Sequence, residues 1–140
     1  MQGQGDIMVK KAAAVLLAMS LFISAGCSQP NIVTLSMDGD RTVGLRPGQM
    51  LKLSFDSNAS TGYTWQLAGS SVNKGIVRQI GTFRYIHRSR DSKLVGAPGV
   101  QMFRCEAMKR GKAKLVFEYL RPWEENKPPA EKYIVKVIVH

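Results

Sequence analysis

From about residue 32 onward, apolar and polar residues alternate with a period of two, the rhythm of a half-buried strand rather than of an amphipathic helix. The segment "TVGLRPGQMLKLSFD" puts Leu51, Leu53 and Phe55 on one face and Lys52, Ser54 and Asp56 on the other, after a turn at Pro47-Gly48. The same alternation returns in "VQMFRCEAM", with Phe103, Cys105 and Ala107 inward. "AKLVFEYL" turns Ala113, Leu115, Phe117 and Tyr119 inward. At the C-terminus "KYIVKVIVH" sets Tyr133, Val135, Val137 and Val139 against Lys132, Lys136 and His140, with Ile134 and Ile138 making the second face partly apolar. Shorter candidates lie at Ile32 to Met37, Thr64 to Leu67 and Val77 to Ile86, each bounded by Gly, Ser, Asn or Pro.

That gives seven or eight short strands and no segment after the N-terminal region that keeps a helical period for three turns. Short strands at this spacing predict an all-β domain, an immunoglobulin-like antiparallel β-sandwich. Connections in a sandwich alternate between its two ends, so loops of one end lie side by side and can form one surface.

The first residues follow a different pattern. "MVKKAAAVLLAMSLFISAGC" reads as a basic start (Lys10, Lys11), an apolar run (Ala12 to Ile23) and a small-residue exit, Ser24-Ala25-Gly26. The run is short for a transmembrane helix, and the pattern is that of an export signal. Cys27 after Ala25-Gly26 resembles the lipobox of bacterial lipoproteins. That resemblance implies lipid attachment at Cys27 and, with Ser28 next, a periplasmic protein anchored to the outer membrane. Ser24 stands where the lipobox most often has Leu, which leaves open cleavage by an ordinary signal peptidase. Met8 is a candidate initiator, because Met1 to Ile7 resemble no part of a signal. The organisation expected is a signal over 1–27, a short linker over 28–31 and one domain over 32–140.

The formal charge is +10. Lys10, Lys11 and Asp6 leave with the signal, a net +1, and +9 remains. Such a balance attracts acidic partners or anionic lipid. Export and the dispersal of the basic residues argue against nucleic acid. The one cluster is "RYIHRSRDSK", with Arg84, His87, Arg88, Arg90 and Lys93. Cys105 is the only cysteine besides Cys27, so no disulfide framework is expected, and its alternation with Phe103 and Ala107 makes it a buried small hydrophobe. His87 and His140 have no Cys or carboxylate arrangement that reads as a metal site or triad, and no phosphate-cradling glycine motif occurs. No catalytic residue, metal or cofactor is expected.

Three loops are compositionally odd: "NASTGY" (Asn58, Ala59, Ser60, Thr61, Gly62, Tyr63), "GAPG" (Gly96, Ala97, Pro98, Gly99) and "RPWE" (Arg121, Pro122, Trp123, Glu124). Gly62 permits a left-handed backbone and a close approach. Asn58 and Ser60 can brace the turn through side-chain to backbone bonds. Tyr63 and Trp65 anchor its base. In the corner Arg121-Pro122-Trp123-Glu124, Trp123 would offer a broad aromatic contact with Arg121 and Glu124 available for polar or ionic partners, while the corner taken alone could be structural, with the guanidinium stacked near Trp123.

Taken together and in this order, the loops resemble those of the chagasin-type inhibitors of papain-like cysteine peptidases, over roughly Ile32 to His140. The resemblance implies an immunoglobulin-like sandwich, acting as a monomer, that wedges three loops into the peptidase's active-site cleft. Thr61 and Gly62 would come nearest the catalytic cysteine, and the other two loops would flank them. Ala59 departs from the family, which often has Pro there. A competing reading is a non-inhibitory envelope module whose basic face and Arg84 to Lys93 cluster hold an acidic partner or anionic lipid.

Overall fold

The computed structural model describes residues 31–88 and 96–140. Nine strands follow in order: β1 Ile32–Met37, β2 Arg41–Leu45, β3 Met50–Ser57, β4 Thr64–Leu67, β5 Val77–Gln79, β6 Arg84–His87, β7 Gly99–Ala107, β8 Gly111–Leu120 and β9 Glu131–Val139. One sheet runs β1-β3-β7-β5 with β6 also on β7, and the other runs β2-β9-β8-β4. The expected sandwich is present.

It differs from the expectation in two ways. First, the pairings β1 with β3 and β2 with β9 are parallel, so each sheet carries one parallel edge strand while its other pairings are antiparallel. The chain leaves the first sheet after Met37, turns at Asp38-Gly39-Asp40 and joins the second as β2. Asp40 fixes the crossing by accepting from the backbone N–H of Ile134 at 2.7 Å. With only Val43 and Leu45 inward, β2 has too short a pattern to stand out in sequence.

Second, the segment Val77 to Ile86 is two strands, not one. Ile80 still donates to the carbonyl of Arg104, after which the chain leaves the edge of β7 and returns at Arg84. The excursion turns Phe83 inward, onto Phe103 at 5.3 Å and Phe117 at 6.3 Å between ring centroids. A local irregularity of this kind re-aims a side chain that regular pairing would have pointed elsewhere.

The core follows the alternation. Leu51, Leu53 and Phe55 of β3, Phe103, Cys105 and Ala107 of β7, Ala113, Leu115 and Phe117 of β8, and Val135, Val137 and Val139 of β9 are all buried. Tyr119 and Tyr133, expected inward, are half-buried at the rim and stack on Trp65 at 5.0 and 4.9 Å. An aromatic cluster of Phe55, Trp65 and Phe117 thus fills the end of the sandwich that carries the loops. Rings at these separations add to the area that they bury, and they give the loops above them a stiff floor.

Candidate functional site

The loop between β3 and β4 is wired to itself. Asn58 accepts from the backbone N–H and the hydroxyl of Ser60, at 3.2 and 2.7 Å. Residues Ala59–Thr61 form one 3-10 turn, closed by Thr61 N–H to the carbonyl of Asn58 and Gly62 N–H to that of Ala59. The Thr61 hydroxyl also donates to the Asn58 carbonyl, at 2.7 Å. Gly62 lies at φ 78°, the left-handed conformation that costs a residue with a Cβ about 1–2 kcal/mol. From below, the hydroxyl of Tyr119 accepts from the N–H of Asn58. Trp65 donates its indole N–H to the carbonyl of Asp56, tying the outgoing strand to the incoming one.

The two flanking loops lean on this turn. On one side Asn58 Nδ2 reaches the carbonyl of Gly96 at 3.4 Å. Ala97 is half-buried and Pro98 exposed, while Gly99 is not a tip residue: it is buried as the first residue of β7, paired with Ser57 and His87. A Cβ at Gly99 would lie 2.5 Å from the Tyr85 ring, so the glycine lets that tyrosine cross over the strand. The Tyr85 hydroxyl in turn is within 3.4 Å of the carbonyls of Ser57 and Ala97.

On the other side, the corner Arg121 to Glu124 closes with Glu124 N–H on the carbonyl of Arg121 at 3.0 Å. The Arg121 guanidinium turns to Tyr63 rather than to Trp123. It lies 4.5 Å above the ring of Tyr63, donates through Nε to the carbonyl of Thr61 at 3.0 Å, and bonds Glu124 through Nη1 at 3.2 Å. Three partners on three sides fix it, because a planar fork can serve them at once. Trp123, freed of that cation, packs against Gly62 so closely that a Cβ there would enter its ring. Even so, Trp123 remains 66% exposed.

A groove of about 470 Å³ separates Trp123 and Pro122 from Phe83 and Tyr85, with Ala59, Gly62 and Gln101 among the residues of its walls. Lys127 and Arg121 both bind Glu124, and with the Lys127 hydrogen bond the larger influence they hold its carboxyl below the usual range. The turn itself, Asn58 to Tyr63, carries no charge. Among the described residues no group of His, Cys, Asp or Glu could hold a metal. Cys105 is buried beneath the sheet and its thiol is pushed up to about 12, so it is no nucleophile.

The structure therefore brings all three loops to one end and cross-links them. Cys27, Arg90 and Lys93 lie outside the described residues, as does the expected signal. Sequence reasoning missed Tyr119, whose hydroxyl supports the central turn, and Tyr85, which supports its neighbour. It also missed the role of Gln101. This side chain is buried, accepts from Trp65 N–H at 2.9 Å and donates to the Trp65 carbonyl and the Thr64 hydroxyl. A polar residue at an inward position of β7 was the available signal.

Comparison with known proteins agrees with this architecture. The pattern described as "Chagasin family peptidase inhibitor I42" matches residues 44–137. Chagasin of Trypanosoma cruzi is 26% identical over 94 residues, which are 67% of this chain and 84% of chagasin. The crystal structure of the cysteine protease inhibitor EhICP2 from Entamoeba histolytica superposes with a TM-score of 0.66 at 22% identity, over 79% of this chain and 96% of EhICP2. PbICP-C, solved in complex with falcipain-2, superposes with a TM-score of 0.53 at 22% identity, over 79% of this chain and 99% of its own. The chain belongs to the chagasin family of peptidase inhibitors, and it is an inhibitor rather than an enzyme.

Proposed function

We propose that this chain is a reversible, competitive inhibitor of papain-like cysteine peptidases, which enters the active-site cleft with Asn58 to Tyr63 at the centre, Gly96 to Pro98 on one flank and Arg121 to Glu124 on the other. The observation that carries the reading is the bracing of the exposed central turn from both sides, by Asn58 on Gly96 and by Arg121 on Thr61. A surface ordered before it meets its partner loses little conformational entropy on binding. The turn is small and uncharged at its tip, so it fits beside a thiolate–imidazolium pair that a bulky loop could not reach. Membership of the family supports the same class of target, as do EhICP2, a cysteine protease inhibitor, and PbICP-C in its complex with falcipain-2.

The turn also resists cleavage for a geometric reason. A scissile peptide must present its carbonyl carbon to the nucleophile, with its oxygen free for oxyanion donors. Here the carbonyls of Asn58, Ala59 and Thr61 are already accepting bonds within the inhibitor, and the backbone is curled rather than extended. The cleft is filled without a reactive geometry.

The test is a titration of residues 28–140 against papain with a fluorogenic substrate, beside Thr61→Ala and Gly62→Glu variants with confirmed folding. Saturable inhibition that collapses in the variants supports the reading. Rapid digestion of the folded domain with no loss of papain activity sinks it.

The inhibitor is further proposed to act from the cell envelope, exported by the segment through Cys27 and carrying a lipid on Cys27. The mass of the membrane-extracted protein decides between a diacylglyceryl cysteine and an unmodified N-terminus left by an ordinary signal peptidase.

A further inference from the structure

The outer face of the β1-β3-β7 sheet carries a second, unlike surface. Lys52 of β3 stands directly opposite Arg104 of β7, and Arg84 of β6 stands opposite Met102, one step along the same face. Like charges placed across a strand pair are destabilising. Among the described residues, the two carboxylates of this face do not relieve them, since Glu106 is bonded by Arg78 and Asp56 by Arg88. Lys52, Arg84 and Arg104 line one depression of about 210 Å³ with Ile32, Met50 and Met102. Ile32 is 51% exposed and follows closely on Cys27 in sequence.

The depression lies toward the end of the sheet away from the loops. Ile32 and Met50 pair at the start of β1 and β3, whereas Ser57, at the other end of β3, leads into Asn58. The second sheet also has a like-charged pair, Lys114 opposite Lys136, with Lys112 beside it. Those three lysines are exposed and screened by water, while Lys52 and Arg104 are half-buried. Half-buried cations edged by apolar side chains match the boundary between phosphate headgroups and acyl chains.

We propose that this depression, formed by Lys52, Arg84, Arg104, Ile32, Met50 and Met102, docks the domain on an anionic membrane surface by binding phosphate-bearing lipid headgroups. The loop end then stays free to meet a peptidase. The inference rests on neither the inhibitory reading nor a lipid on Cys27. The domain can be tested alone, because residues 31–140 contain all nine strands and the part of the chain that matches covers 96% of the separately solved EhICP2.

Residues 28–140 are sedimented with vesicles of phosphatidylglycerol and phosphatidylcholine, and with phosphatidylcholine alone, near 0.1 M salt, while papain inhibition is read in parallel. The parent is expected to bind the anionic vesicles only. Lys52→Gln/Arg84→Gln/Arg104→Gln is expected to lose on the order of 100-fold in partitioning, at roughly fivefold per cation. Lys112→Gln/Lys114→Gln/Lys136→Gln, which removes the same charge from the other sheet, is expected to lose much less. Arg104→Gln alone, expected to be about fivefold weaker, tests the same depression without depending on the fold of a triple variant. Equal losses in the two triple variants would reduce the effect to net charge and overturn the proposal, as would a parent that ignores anionic vesicles. Papain inhibition is expected to be unchanged in every variant, so a failure of either proposal is visible without the other.

Discussion

The loop end and the cationic face of the sheet handle polar groups in opposite ways. At the loop end nearly every polar side chain is already spent inside the molecule: Asn58 on Ser60 and Gly96, Thr61 on Asn58, Arg121 on Thr61, Tyr63 and Glu124. On the sheet, Lys52, Arg84 and Arg104 share one depression, and the carboxylates of that face among the described residues, Glu106 and Asp56, are bonded elsewhere. The first arrangement fixes a shape, which a partner reads by fit. The second stores a field, which a partner reads by charge. Shape costs the free protein its polar groups and is indifferent to salt; a field keeps them available and fades as ions are added.

The sharpest way to break this contrast is to spoil the shape without touching charge. Gly62→Ala puts a Cβ into the left-handed turn and into the ring of Trp123, so the central turn and the Trp123 corner cannot both keep their places. Inhibition of papain is expected to weaken by on the order of 30-fold or more, the cost of losing one interface hot spot. The fold should lose only about 1–2 kcal/mol. An inhibition constant within about twofold of the parent would show that the Gly62–Trp123 contact does not position the surface.

A smaller loss is expected from Arg121→Lys, which keeps the charge and removes the fork. Lysine cannot reach the carbonyl of Thr61 and the carboxylate of Glu124 at once while lying flat on Tyr63. Inhibition should weaken by about tenfold, with vesicle binding unchanged. If Arg121 served as an ionic contact to the enzyme, the retained charge of lysine would keep most of the affinity.

How much of this contrast was legible in the sequence follows from the same physics. The alternation of β3, β7, β8 and β9 announced their faces because each buries three or more residues at a period of two, and those positions are buried. β2 gave no such notice, with only Val43 and Leu45 to bury, and the break between β5 and β6 depends on Phe83 finding Phe103 and Phe117 across the core. The central loop could be read since Asn58, Ser60 and Gly62 act locally, within a few residues. The Arg121 partners could not, because Thr61 and Tyr63 are some sixty positions away and only the antiparallel pairing of β4 with β8, Thr64 opposite Leu120, brings them within reach. Gly99 looked like a loop glycine in "GAPG" and is a strand glycine, for the reason that Tyr85 must cross it.

Salt separates the two regions without any mutation. Between about 0.05 and 0.3 M, the Debye length falls from roughly 14 to 6 Å, which screens charges acting across water. Vesicle binding by residues 28–140 is expected to drop steeply over this range. Papain inhibition, resting on an uncharged turn, is expected to change by no more than about twofold. A steep loss of both would mean that the loop end also acts through its field.

The smallest expected effect lies at the one place where the loop end depends on charge. Hydrogen bonds from Lys127 and Arg121 hold the Glu124 carboxyl below its ordinary value of 4.5. A carboxyl whose folded value is depressed stabilises the fold above its unfolded value and loses that contribution as pH falls through the folded one. The corner should therefore be intact from pH 7 down to the ordinary carboxylate range and loosen only below it. Trp123, 66% exposed and next to Glu124, reports this through its fluorescence, while Trp65, 2% exposed, reports on the core. A change in emission centred below pH 4.5, absent in Glu124→Gln and preceding any unfolding seen by circular dichroism, is the expected result. A midpoint at or above the ordinary value would mean that neither Lys127 nor Arg121 holds Glu124 in solution. The bracing of Arg121 would then rest on Thr61 and Tyr63 alone, which Arg121→Lys and Glu124→Gln tested together would reveal as additive losses, since groups that share no partner do not couple.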